Sequence, residues 1–357
     1  MLISADRLTE VVRAIIAHAS GNEEAAKTVA HHLVDANLAG HDSHGVGVLP
    51  QYMNGLKAGN LKADGVATLV EKKGPYLLVD GNRGFGQVIA KQAMEWAIET
   101  ARENHIAVLS LKNSFHIGRI GAWGEMAARA GFVSLHWVNV LSPNSLVAPF
   151  GGSAPRFATN PHVTAVPATP GNPMFVLDMA TSTIAQGKAR VAYAKGVEVP
   201  DNCLIDHEGR PTNDPAVMFE EPRGAMTTTG LHKGYGLAVA CEFLAGAFSG
   251  GGTHLPSRVE ENKVVNNMMA ILLDPNIFGH GEAFAQDVDA FTDWVKSSKP
   301  APGVDAVMVA GDPERKARAD RSANGIPIDD GSWGQILETA DMVGFGREAA
   351  ERIANGG

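Results

Sequence analysis

The chain has 357 residues, 45% of them hydrophobic and 19% charged, with a formal net charge of -9. That length supplies two or three layers of core, as one large domain or two to three smaller ones, and the acidic balance offers no basic footprint for nucleic acid. Two cysteines, Cys203 and Cys241, exclude a disulfide framework and argue against a thiolate metal cage. The longest apolar runs are broken by Gly, Lys or Asp before a bilayer could be spanned, and Asp6, Arg7 and Glu10 do not make a secretory signal. A cytoplasmic protein without membrane partners is expected.

The first forty residues read as two amphipathic helices. Leu8, Val11, Val12, Ile15 and Ile16 form one stripe, and Ser20 with Glu23 three residues later predicts a capping box that opens the second helix. That helix runs through Val29 and Leu33 and stops at Gly40. His41-Asp42-Ser43-His44 follows, and then a third pattern of Val46, Leu49, Met53 and Leu56 that ends near Gly59, with Pro50 either in its first turn or kinking it. A helix junction leaves backbone N–H groups unpaired and aims short polar side chains at whatever fills the gap, so His44 is a candidate for acid/base chemistry. The plainer reading is that Ser43 or Asp42 caps the next helix.

From Tyr76 the texture becomes strand, helix, strand: residues 76–80, then a helix carrying Phe85, Ile89, Ala93 and Trp96, then residues 106–111. A helix over about 119–130 precedes a strand over 132–139, and 142–161 reads as a long functional loop rich in Pro, Gly and Ser. Strands follow at 163–167 and 174–178. Residues 231–248 predict a helix that is apolar nearly all round and therefore deep in the protein. A strand at 268–273, a helix with Phe284, Val288, Phe291 and Val295, and a last one with Trp333, Ile336 and Leu337 complete the pattern. The expected organisation is a helical part over 1–75, a central mixed α/β part holding the sheet over 76–295, and a helical part over 296–357.

Gly84-Phe85-Gly86, between a strand and a helix, imitates a dinucleotide-binding fingerprint. The position of its third glycine holds Ile89, and the next strand ends in Lys112 and Asn113 where an acidic residue is wanted for the ribose. A tight strand-to-helix turn explains the glycines adequately. Other constellations carry more weight. Phe115-His116-Ile117-Gly118 places a second imidazole where a strand gives way to a helix, and Thr159-Asn160-Pro161 closes the long loop. Asp178-Met179-Ala180-Thr181-Ser182 ends a strand with an acid and hydroxyls. His232-Lys233-Gly234 starts a helix, where Lys233 is either placed for a phosphate or simply solvated.

Taken in order with Gly187-Lys188 and Gly311-Asp312-Pro313-Glu314, these motifs resemble the type 2 malate/L-lactate dehydrogenase family from about residue 5 to residue 340. That family also holds ureidoglycolate and sulfolactate dehydrogenases, 2,3-diketogulonate reductase and cyclic imino acid reductases. The resemblance implies a non-Rossmann nicotinamide-binding fold with a mostly antiparallel central sheet, a helical domain assembled from both termini, and a homodimer. It implies NAD or NADP as cofactor and a small 2-oxo or 2-hydroxy acid as substrate. The histidine matching His44 acts there as acid/base, with the aspartate matching Asp178 as partner, while in other members the role falls to the one matching His116. By the same resemblance Ser43, Val48 and Thr159 line the substrate pocket. Cofactor contacts fall to His116, Gly118, Asn160, Pro173, Met174, Phe175, Val176, Leu177, Asp178, His232, Lys233, Gly311, Asp312, Pro313 and Glu314.

The chain departs from the family at Val48, where many members carry an arginine that would hold a substrate carboxylate. Either another cation, Arg119, Arg156, Lys188 or Arg190, takes that task, or the substrate presents a less polar group there. Two alternatives from other classes stay open. His41, Asp42, His44 and His116 have the side chains of a metal-dependent hydrolase or lyase, though without an HExxH-like spacing. A nicotinamide-binding protein without turnover is the other.

Overall fold

The computed structural model describes residues 1–259 and 263–356. A short strand β1 (Leu2–Ile3) leads into α1 (Ala5–Ser20) and α2 (Glu23–Leu38). The five predicted stripe residues of α1 are fully buried. The helix junction differs from the expectation. Ser20 is the last residue of α1 and donates its hydroxyl to the Ile16 carbonyl at 2.7 Å, while Asn22 caps α2 by accepting the Ala25 N–H at 3.0 Å. Gly21, with φ of 66°, ends α1 in the left-handed region, so only a residue beyond it can reach the first turn of α2. Glu23 pairs with Arg13 instead of closing a capping box.

Two 3₁₀ turns, Asp42–His44 and Val46–Val48, connect α2 to α3 (Leu49–Lys57), where Pro50 occupies the first turn. The sheet region follows with β2 (Thr68–Lys73), β3 (Tyr76–Asp80), α4 (Gly86–Asn104), β4 (Ile106–Ser114), α5 (Gly121–Arg129), β5 (Val133–Leu141), β6 (His162–Val166) and β7 (Phe175–Met179). Next come α6 (Gln186–Lys195), the short strands β8 (Leu204–Ile205), β9 (Pro211–Thr212) and β10 (Ala225–Met226), and α7 (His232–Cys241). The chain ends with β11 (Val265–Leu273), α8 (Gly281–Lys296), α9 (Asp312–Asn324), β12 (Ile326–Pro327), α10 (Asp330–Met342) and α11 (Arg347–Asn355).

Seven strands form one sheet in the order β2-β3-β4-β11-β5-β6-β7. β3 and β4 run parallel, joined through α4, and the other neighbours are antiparallel. The fold is therefore mixed α/β around a mostly antiparallel sheet. The glycines of the imitation fingerprint serve backbone contact: a Cβ on Gly86 would lie 2.0 Å from the His116 carbonyl oxygen, and one on Gly84 would lie 2.2 Å from that of Gly65.

One hydrophobic core joins α1, α2 and α3 to Ile326, Ile336, Leu337, Ala340 and Ala350 from the end of the chain. A second fills the space between the sheet and α4 and α5. The expectation of a helix buried all round over 231–248 is corrected. The α-helix spans His232–Cys241 and continues as a π-helical turn, Glu242–Ala247; Ala238, Cys241 and Ala245 are buried, but Phe243 and Phe248 are exposed. Its small residues let one side approach closely, Gly234 lying against the Thr229 carbonyl, so only that side is covered. Helix α8 has the predicted apolar stripe yet no buried residue, and Phe291 and Trp294 are 67% and 75% exposed.

Candidate active site

The tetrapeptide 41–44 divides into a grip and a working face. Asn37 at the end of α2 accepts the Val46 N–H at 2.8 Å and donates to Asp42 at 2.6 Å. A Cβ on Gly45 would lie 2.2 Å from the Asn37 side chain, so the loop closes on this amide only with glycine there. Arg321 of α9 takes both oxygens of Asp42, and His41 meets Glu314 of α9 at 3.1 Å. His41 and Asp42 thus hold the loop, and Ser43 and His44 face a cavity of about 470 Å³.

His116 enters the same cavity from the end of β4. Its main chain is fixed by the Ile117 N–H donating to Asn266 at 3.0 Å and by Gly118, with φ of 75°, packed against His32. The two imidazoles are nearly parallel, 5.7 Å apart at their centroids. Ser43 Oγ lies 3.0 Å from His44 Nδ1, and Tyr52 Oη lies 2.7 Å from His116 Nδ1. Thr159 and Pro161 line the cavity opposite, with Val138, Val140 and Ala158 as an aliphatic wall.

Burial lowers the proton affinity of both rings. For His116 it reaches about 3, with the neighbouring His44 and His32 adding to the effect. For His44 the negative charge of Asp178 opposes burial. Asp178, at the end of β7, accepts the Gly121 N–H at the start of α5 at 2.8 Å. The two histidines of one cavity therefore differ in kind: one bonds a serine hydroxyl and feels the charge of a carboxylate, the other bonds a phenol.

A second cavity of about 540 Å³ shares Ser43, Val48, Gln51, Asn54, Gln186 and Gly187 with the first, and Arg190 lies on its wall. Of the cations named as substitutes for a residue at 48, Arg119 is 2% exposed and engaged by Asp35 and Glu125. Arg156 and Lys188 are exposed and line neither cavity.

The other candidates gather in two places. Met174 and Val176 adjoin the start of α9, since Arg315 donates to the Met174 carbonyl at 2.9 Å and the Val176 N–H donates to Ala310 at 3.3 Å. Gly311, with φ of 97°, sits between them in the left-handed region that favours glycine. Pro313 is in the first turn of α9, and Asp312 is held by Lys296 at 3.1 Å. His232 and Lys233 lie off the cavity, exposed at the head of α7 with His232 against Phe150. Asn160 is fully buried and bonded to Val140, Ala238 and Glu242. Sequence reasoning missed Gln51 and Asn54, three and six residues after Val48 on the polar side of α3, and the Tyr52 and Gln87 pair behind His116. Among the described residues, no three His, Cys, Asp or Glu side chains converge as metal ligands, and no helix is long and apolar enough to cross a membrane.

A model of the malate/L-lactate dehydrogenase family matches residues 3–337. Hydroxycarboxylate dehydrogenase B of Escherichia coli K12 is 44% identical over 349 residues, covering 97% of this chain and 96% of its own. An L-lactate dehydrogenase of Cupriavidus necator is 40% identical over 96% and 98% of the two chains. The solved structure of an E. coli protein described as a putative malate/lactate dehydrogenase superposes with a TM-score of 0.94 at 42% identity, covering 99% of each chain.

Proposed function

The chain belongs to the malate/L-lactate dehydrogenase family, and from that premise we propose that it transfers a hydride between NAD or NADP and a small 2-hydroxy or 2-oxo acid, with His44 as acid/base. Its relatives are hydroxy acid dehydrogenases, which supports an oxidoreductase acting on that class of substrate. The observation that carries the assignment of roles is that His44 and His116 share one cavity, with Ser43 on Nδ1 of the first and Tyr52 on Nδ1 of the second, while the charge of Asp178 favours the protonated form of His44 alone.

The residues present fit the reactive end of a nicotinamide cofactor: an aliphatic wall of Ile120, Val138, Val140 and Ala158 suits a flat ring, and Gly118 lines the same cavity. Pro173, Met174, Phe175, Val176 and Leu177, with Gly311 to Glu314, would hold the remainder, together with His232 and Lys233. When bound, such a cofactor donates or accepts the hydride. His44 gives its proton to the substrate oxygen in reduction and takes it back in oxidation. Asp178 stabilises the imidazolium, Ser43 orients the ring through Nδ1, and the buried walls exclude water from the exchange. The antiparallel sheet, and glycines at 84 and 86 that press on backbone, support a binding mode other than the Rossmann one.

We further propose a 2-oxo acid with an apolar or unusual side chain against Val48 as the substrate, with residues 1–75 and 296–357 forming a helical part around the central 76–295, save that β2 (Thr68–Lys73) joins the central sheet. The shared core of the two ends supports that division. The exposed aromatic face of α8 supports a homodimer. The decisive experiment gives purified protein NADH or NADPH with a panel of 2-oxo acids and cyclic imino acids and follows loss of reduced nicotinamide absorbance, beside a His44→Asn variant. Turnover that the variant lacks supports the reading. Binding of cofactor without turnover favours a non-catalytic protein, and oxaloacetate as by far the best substrate counts against the role given to Val48.

A further inference from the structure

We propose that Tyr52 and Gln87 are positioning residues that hold His116 as a neutral imidazole with its proton on Nε2, a fixed hydrogen-bond donor in the cavity, leaving proton transfer to His44. The inference rests on the reading above for its catalytic meaning, but its structural content stands on the buried chain of contacts alone.

Tyr52 is fully buried on α3, its ring set edge-on to Phe115 at 5.5 Å. Its hydroxyl has two close partners: Gln87 Nε2 at 2.6 Å and His116 Nδ1 at 2.7 Å. An amide NH₂ only donates, so the phenol oxygen accepts from Gln87 and its single proton goes elsewhere. The His116 carbonyl is 3.5 Å away, so Nδ1 is the better acceptor. An Nδ1 that accepts carries no proton, and the neutral ring then bears it on Nε2.

The orientation of the amide follows from the same cavity wall. Gln87 is buried, and its Oε1 has no hydrogen-bond partner among the described residues. Turning the amide over would leave the NH₂ without an acceptor instead, and an orphaned N–H is the rarer and costlier state. Protonating His116 would displace the phenol proton onto the distant carbonyl and strand it. Burial also raises the phenol's own pKa, so Tyr52 keeps its proton. His116 therefore enters the reaction as a donor that never gives its proton up, able to hold a substrate oxygen as charge develops there. His44 carries no such phenol and answers to Asp178.

The test is ¹⁵N NMR of histidine-labelled protein without substrate or cofactor, with His116→Asn to assign the ring. Nδ1 is expected at the unprotonated position and Nε2 at the protonated one through the neutral range. In Tyr52→Phe the two tautomers should mix, and kcat should fall roughly tenfold or more while the pH limb set by His44 stays in place. In Gln87→Glu the carboxylate takes the phenol proton, so His116 must donate from Nδ1 and its tautomer should reverse. A proton on Nδ1 in the unaltered protein, or one tautomer unchanged across both variants, overturns the proposal. Because the spectrum is read without turnover, an inactive panel of substrates would sink the dehydrogenase reading and leave this one standing.

Discussion

The imidazoles of His44 and His116 stack 14° from parallel, yet Nδ1 of the first meets the Ser43 hydroxyl and Nδ1 of the second a buried phenol, and only His44 feels the charge of Asp178. Enzymes separate acid/base roles by such unequal surroundings.

With His44 as the proposed acid, reduction needs it protonated, so the rate should fall as pH rises through the His44 pKa, and oxidation should gain over the same range. Burial holds that pKa below the ordinary imidazole value, and Asp178 opposes the drop. Asp178→Asn removes the opposing charge and should move the reductive limb to lower pH, with kcat reduced by about 10²-fold or more. Profiles of kcat/KM against pH in both directions check this; an unmoved limb would remove Asp178 from the mechanism.

Val48 should set substrate choice. Val48→Arg places a guanidinium on the wall common to both cavities, where a charge-assisted bond to a carboxylate contributes about 1.5–3 kcal/mol. The kcat/KM for a small dicarboxylate such as oxaloacetate should rise roughly 10- to 100-fold. Unchanged preference across the 2-oxo acid panel would show that position 48 does not face the substrate.

Stability should fall on mild acidification. His32 and His136 are buried and His116 is half-buried in the cavity wall, and desolvation lowers each to about 3. Above the unfolded histidine value both states are neutral; below it only the unfolded chain takes up the proton, so stability declines as pH falls toward 3. By about pH 5 each group costs about 2 kcal/mol. Urea midpoints measured from neutrality down to that pH should drop steadily, and a flat series would contradict these buried neutral rings.

Trp294 is 75% exposed beside Phe291 on α8, and a second copy of the chain is the proposed cover. Light scattering should return twice the 37.5 kDa chain mass, and Trp294→Glu should shift it to the monomer. A monomeric unaltered protein would refute the assembly.

Much of the candidate site was legible because the residues that gather in the cavity break local rules. A polar His41-Asp42-Ser43-His44 between two apolar helical patterns, and an imidazole at the end of β4, stand out against a periodic background. Tyr52 and Gln87 were hidden because each reads as an ordinary helix residue, and only packing turns them toward His116. Helix α9 escaped notice since it buries no side chain; Glu314, Arg318 and Arg321 secure it through His41, Asp35 and Asp42, contacts nearly 280 residues distant that no periodicity reveals. Strand β2 escaped for a related reason, being exposed throughout at the sheet edge with Glu71, Lys72 and Lys73 in a row.

The grip of α9 on the 41–44 loop also sets a timetable. Ribosomal synthesis delivers His44 long before Arg321, so Asp42 has only Asn37 to hold it, and His41 lacks Glu314, until α9 is made. The 41–44 loop thus gains its full grip only once α9 has been made, so a chain cut short before α9 is expected to hold His44 less firmly although that side chain is already present.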